Sequence, residues 1–415
     1  MNASALAASL LLAATPFAAL ADDYDDLRAR LNAAYEARDT AVLAAAAAEA
    51  LSMRPGHPTL SYFAAYADAA EGRPEAALDA MFALYARDVL PLQPKADAAV
   101  FESMYALPRA ARLADERARL LVQVGAPEAQ SVPQPAGQVP EGVAVARNGR
   151  VFLSSVRDGG IAARFPDGVT HRWATPPGST LGVHLDAAQR VLWVAVAPFP
   201  EYAGVGAAVQ TGLAALDAMT GELRAWHPLA AHGAHGFGDF VLLDDGTAVA
   251  TDSLGGGAWR LGPATGWQPI PALAGLRAPQ GVTQLGDALI IADYGRGLYR
   301  YAPATGAITR IADGAGAPYG IDGLYAHGDA LVAVQNGVLP HRVTRFVLDA
   351  AVTRIERATP LLMNHPAFDE PTLGQVDGDR FHVVANSHWN RFTREHALPE
   401  GLSAPVVLTL TLPDA

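Results

Sequence analysis

The sequence predicts an all-β six-bladed propeller preceded by a small all-α, tetratricopeptide-like domain. Three observations carry this: a helical apolar period that stops near residue 125, a recurrence of roughly 40 residues after it, and six repeats of a turn residue and glycine ahead of an apolar strand. At 415 residues the chain is also too long for one ordinary core.

The opening run "MNASALAASLLLAATPFAALADD" is apolar, is broken by Pro16 and ends in Ala19-Leu20-Ala21, the small-x-small pattern that a signal peptidase accepts. Residues 1–21 therefore read as an export signal, which places the protein in the periplasm or outside the cell. Residues 22–125 read as helical. Within them Leu60, Phe63, Ala64 and Ala67 share one face, a Gly-Arg-Pro turn follows, and Ala76, Ala77, Ala80 and Leu84 continue on a second helix. Small residues at such a crossing let two helices approach, as in a tetratricopeptide-type hairpin. Such a region is either a cap on the next domain or a groove for a protein partner. Residues 126–138, "APEAQSVPQPAGQ", have no periodicity and read as a linker.

From residue 139 the units repeat. "SLGGGAWRLGPATGWQPI" and "YGRGLYRYAPATGAITRI" share a Gly-rich turn, an aromatic-Arg strand, "PATG" and a further strand. Blade starts fall at "PEGVAV", "TLGVHL", "GDFVLL", "PQGVTQ", "IDGLYA" and "EPTLGQV". "PVVLTLTL" near the C-terminus is a strand whose partner the sequence does not reveal.

The net charge of −12 and a single lysine, Lys95, argue against nucleic acid or an anionic membrane surface as partner. No cysteine is present, so any metal must be held by oxygen or His nitrogen. A Walker loop needs Gly-Lys, which is missing, and no G-x-S-x-G elbow occurs. His232 and His235, three apart between glycines, could bind a transition metal only with a third ligand. His365 and His388 are candidate proton shuttles.

In a propeller the inner strand of each blade lines the central channel, so the residues at its start converge. Glu141, Asp239, Gln280, Asp322 and Glu370 occupy or adjoin that position. Carboxylates so close repel unless they are protonated or share a cation, and an oxygen-only set suits a hard ion, Ca²⁺ before Mg²⁺. The bland alternative is that each acid caps a turn.

This register resembles the calcium-dependent propeller hydrolases of the gluconolactonase, regucalcin (senescence marker protein) and strictosidine-synthase-like superfamily, from residue 139 onward. There a Glu before Gly, an Asn in Asn-Asp, an Asn in Asn-Gly and an Asp in Asp-Gly hold the metal in chain order. Glu141 of "PEGV" and Asp322 of "IDGL" match. The other two positions depart, reading Gly238-Asp239 and Gln280-Gly281, with Asp239 or His184 as possible compensation. The resemblance implies that the cation polarises a lactone or ester carbonyl and that Asp322 accepts a proton from water or attacks directly. It further implies that Tyr294, Asn336, Asn386, Trp389, His184 and Glu370 surround the substrate. Two other readings stand beside this one: a propeller that only binds a sugar, peptide or protein, and a structural part of a larger assembly.

Overall fold

The computed structural model of the protein describes residues 24–132, 138–204 and 209–414. The expected export signal lies outside them. Six helices come first: α1 (Tyr24–Ala37), α2 (Thr40–Met53), α3 (Pro58–Ala70), α4 (Pro74–Tyr85), α5 (Glu102–Tyr105) and α6 (Arg112–Leu120). Asp39 caps α2 by accepting from the Val42 N–H at 3.1 Å. Helices α3 and α4 each open on proline, where the missing N–H has no helical partner to lose. The expected hairpin forms, with one difference of face: Ala76 is exposed, while Leu78 and Met81 turn inward beside Ala77 and Leu84.

This helical region is fixed to the propeller by buried contacts. Arg296, 1% exposed, pairs with Asp25, and Arg87 donates to the carbonyls of Gly314 and Gly316 at 3.1 and 2.6 Å. The backbone N–H of Gly56 donates to Asp313 at 2.9 Å, and β-bridges join Leu90 to Leu339 and Val124 to Met363. Ala317, Tyr319 and Met363 of the propeller share the apolar core of the helices. No described helix is long and apolar enough to cross a membrane.

Six four-stranded antiparallel sheets follow. Blades 1 to 5 are simple meanders over residues 143–173, 179–228, 237–269, 279–310 and 321–363. Blade 6 takes Gly374–Asp377, Arg380–Val384 and Val406–Thr411 from the end of the chain, and its fourth strand, Glu128–Ser131, from before blade 1. Here the structure corrects the expected linker. Glu128 pairs with Thr409 and Ser131 with Val406, which supplies the missing partner of "PVVLTLTL" and closes the ring. The strand "EAQS" is an outer, largely exposed edge and so lacks the apolar alternation by which a strand is read.

The blades place site residues by a shared irregularity. In blades 2 to 5 the inner strand breaks register between Thr180 and Val183, Phe237 and Phe240, Pro279 and Val282, and Ile321 and Leu324. The residues skipped are Leu181-Gly182, Gly238-Asp239, Gln280-Gly281 and Asp322-Gly323. A bulge of this kind re-aims a side chain, here toward the axis. The recurring glycine has a steric cause: a Cβ on Gly281 would stand 2.4 Å from the Leu324 nitrogen, and one on Gly142 2.5 Å from the Leu181 oxygen. Neighbouring inner strands close on each other at these points, and only glycine leaves room.

Candidate active site

Each inner strand begins at the face where its blade's second strand ends. Residues before the first strand and after the second therefore gather at one mouth of the channel. The cavity there has a volume of about 350 Å³. Glu141, Gly238, Gln280, Asp322 and Glu370 reach it from inner-strand starts, Ser253, Tyr294 and Asn336 from second-strand ends, and Trp389 and Asn390 from the loop after the second strand of blade 6.

Two of its acids are buried, Glu141 at 6% and Asp322 at 8% exposure. Each has one oxygen held. Trp389 Nε1 donates to Glu141 Oε2, and Asn336 Nδ2 donates to Asp322 Oδ2 at 2.8 Å. Asn336 is itself oriented by the Tyr294 hydroxyl, which donates to its Oδ1 at 2.8 Å. Burial raises the pKa of Glu141 well above the carboxylate range, the charge of Asp322 adds to this, and the Trp389 bond opposes it. Burial pushes Asp322 up to about 7 against the pull of Asn336, with the charges of Glu370 and Asp239 adding to the rise. Glu370 is raised by burial as well, although the Asn390 N–H stabilises its anion.

The altered pair of positions is mutually adjusted. Gln280 Oε1 accepts from Ser253 Oγ at 3.2 Å and lies 3.3 Å from where a Cβ on Gly238 would stand. The longer glutamine thus occupies space that a side chain at 238 would need. Glu141, Gln280 and Asp322 bring side-chain oxygens from three blades to one cavity, with no nitrogen or sulfur ligand among them. Gly238 adds no side-chain donor.

Three expected site residues lie elsewhere. Asp239 is turned away from this cavity, and His184 Nε2 bonds its Oδ1 at 2.9 Å. Asp239 Oδ2 is buried without a partner. Asn386 is a structural residue: its amide donates to Ser403 Oγ and the Ala404 carbonyl, both at 3.0 Å, and its Oδ1 accepts from the Val406 N–H at 2.7 Å. It fixes the start of the last strand and is 2% exposed, which removes it from substrate contact. Among the reserve histidines, His388 is buried against Asp369 at 2.9 Å, and His365 accepts from the Ala367 N–H at 3.2 Å. His235 bonds Asp252 and the His232 carbonyl, and no group of three His, Cys, Asp or Glu able to hold a metal occurs among the described residues.

Ser253, Phe199 and Leu181 also line the cavity and were not expected there. The register that singles out Tyr294 and Asn336, one residue past a second strand, falls on Ser253 in "ATDS". Leu181 stands in blade 2 where Asp322 stands in blade 5, and its apolar side chain gave no chemical signal.

No family model and no curated protein matches the sequence. Solved structures similar in fold include a gluconolactonase from Xanthomonas campestris, at 15% identity and a TM-score of 0.47 over 71% of this chain and 93% of that one. A PQQ-bound aldose sugar dehydrogenase from Streptomyces coelicolor has 15% identity and a TM-score of 0.46 over 69% and 99%. A virginiamycin B lyase from Staphylococcus aureus has 14% identity and a TM-score of 0.45 over 69% and 100%. At these identities and TM-scores the likeness assigns no reaction to this chain.

Proposed function

We propose that the protein is an exported, metal-dependent hydrolase that opens a small lactone or ester in the axial cavity. The observation that carries this reading is the convergence of two buried acids, Glu141 and Asp322, with the Gln280 carbonyl from three different blades. Buried like charges are costly together, and a shared divalent cation removes that cost while accepting an all-oxygen donor set. Ca²⁺ fits best, held by Glu141, Gln280 and Asp322, because its shell admits backbone oxygens and water where Gly238 gives nothing. When bound, the ion supplies Lewis acidity to a carbonyl oxygen.

The chain's own residues do the rest. Asp322, one oxygen of which is fixed by Asn336, is placed to take a proton from the attacking water. Tyr294 keeps Asn336 oriented, and the ring of Trp389 walls the cavity while its N–H holds Glu141. The missing side chain at 238 supports a second reading, a non-catalytic propeller that recognises a sugar, peptide or protein partner.

A lactone and ester panel, assayed with wild type and Asp322→Ala in Ca²⁺ and in chelator, tests the first reading. Hydrolysis lost with either the acid or the ion is expected. Equal rates in the two proteins would remove Asp322 from the reaction, and binding without turnover would favour the second reading.

A further inference from the structure

The catalytic cavity has a neighbour. A second cavity of about 230 Å³ lies between the helical region and blades 4 and 5, and Tyr294 lines both. Its walls come from two parts of the chain: α1 and α3 on one side, and the propeller loops that carry Gly295, Tyr319 and Val338 on the other. Since the ion pair of buried Arg296 with Asp25 and two β-bridges fix the helices to the blades, the cavity is preformed.

Its chemistry differs from that of the axial site. Leu31, Leu60 and Phe63, all under 9% exposed, give it an apolar floor. His57 in its wall is neutral at physiological pH, because burial pushes its pKa down to about 3. Among the described residues that line it, the one cation is Arg28, an exposed residue whose Nη1 lies 3.5 Å from the point where a Cβ on Gly295 would stand. Arg28 has no ion-pair partner among the described residues, whereas nearby Arg296 and Arg310 are paired with Asp25 and Asp313. An apolar pocket with a guanidinium at its mouth that pairs with no described residue matches a ligand arm that is apolar along its length and carries a carboxylate at its end.

We propose that this cavity is a second binding compartment, which takes a carboxylate-ended apolar arm of the molecule whose ester or lactone group lies in the axial site. The ester or lactone group in the axial site rests on the hydrolase reading, and the compartment rests on the cavity alone. It assigns the helical region a role that the propeller cannot fill, namely one wall of the compartment and its charge. It also places an occupant against Tyr294, whose hydroxyl orients Asn336 and through it Asp322.

The probe is 4-phenylbutyrate, with the neutral 4-phenylbutanol as its control, titrated calorimetrically into wild type, Arg28→Gln, Thr59→Trp and Asp322→Ala. Arg28 and Thr59 are exposed, so both variants should fold, and circular dichroism checks this. Binding of the acid should weaken about tenfold in Arg28→Gln, the loss of one charge-assisted contact, with the alcohol unchanged. Thr59→Trp, which fills the cavity from its rim, should weaken both probes. Asp322→Ala should bind both as wild type does. An acid that binds no better than the alcohol, or that ignores both Arg28→Gln and Thr59→Trp, overturns the proposal. Loss of binding in Asp322→Ala would place the probe in the axial site and overturn it too. A protein that hydrolyses no ester yet shows the Arg28 dependence sinks only the hydrolase reading and keeps the compartment.

Discussion

Gln280 reaches across the bulge of its neighbouring blade, so that its Oε1 stands 3.3 Å from the position of a Cβ on Gly238. Two departures from the ligand pattern of the resembled hydrolases therefore act as one unit, since a side chain at 238 and a long one at 280 compete for the same space.

That coupling can be measured. A Cβ at 238 would also stand 2.5 Å from Ser253 Oγ, so on the hydrolase reading Gly238→Asn alone should lose about tenfold or more in Ca²⁺-dependent lactone kcat/KM, as should Gln280→Asn alone. The double variant, Gly238→Asn with Gln280→Asn, should recover the part of these losses that comes from the Gln280 contact, while the contact with Ser253 Oγ remains. Additive losses in the double variant would show that the two positions are independent.

Asp322 makes stability depend on pH with a definite sign. Its folded-state pKa, near 7, lies above the ordinary value of 3.8, so the folded protein keeps this proton longer than the unfolded chain does. The associated stability is present below pH 3.8 and declines as pH rises toward 7. In chelator, the Tm of wild type should therefore fall relative to that of Asp322→Asn across this interval. Ca²⁺ should restore wild type and leave the variant largely unmoved. Parallel Tm curves in chelator would show that Asp322 is not perturbed.

His57 acts in the opposite direction. Its ring Nε2 meets the Gly295 carbonyl at 3.2 Å, and burial, helped by the charges of Arg54, Arg28 and Arg310, lowers its pKa from 6.5 to about 3. The folded protein binds fewer protons here, so this contribution is complete above pH 6.5 and is lost on acidification toward 3. His57→Gln keeps a donor for Gly295 and does not titrate. The stability advantage of wild type over this variant should shrink by up to about 1.4 kcal/mol per pH unit below 6.5, read from urea unfolding.

Ring closure is testable by a pair of prolines. The Val132 N–H donates to the Pro405 carbonyl, so alternation along the antiparallel pair turns the N–H of Gln130 inward to the Val407 carbonyl and that of Ala129 outward. Gln130→Pro should cost about 1–3 kcal/mol more than Ala129→Pro in chemical unfolding. Equal effects would show that the strand contributes little to the closed ring.

The blades were legible because a glycine recurs in their inner strands, and at Gly142, Gly182 and Gly281 a neighbouring inner strand requires it. The same register singled out Glu141, Gln280, Asp322 and Glu370, which line one cavity with Tyr294 and Asn336, two residues that the family resemblance implied. Asn386 misled for a reason of identity: its amide is as suited to holding the Val406 N–H as to holding a substrate, and only the fold chooses. Asp239 misled because its neighbour in space, His184, belongs to another blade. The docking of the helices was invisible for the same cause. Asp25 and Arg296, 271 positions apart in sequence, are unremarkable residues until the fold brings them together.

One more consequence follows from a strand at residues 128–131 that pairs with another at 406–411. A polypeptide emerging from the ribosome makes its early strand long before the mate exists, so until residues 406–411 are made the ring is an open horseshoe whose strand at 128–131 has a bare backbone edge. Joining the tips spans nearly the whole propeller in sequence and is a slow, late event for that reason. During that wait the horseshoe is exposed to strand exchange with other copies, and a chaperone that shields either tip would raise the yield of folded protein without touching the finished molecule.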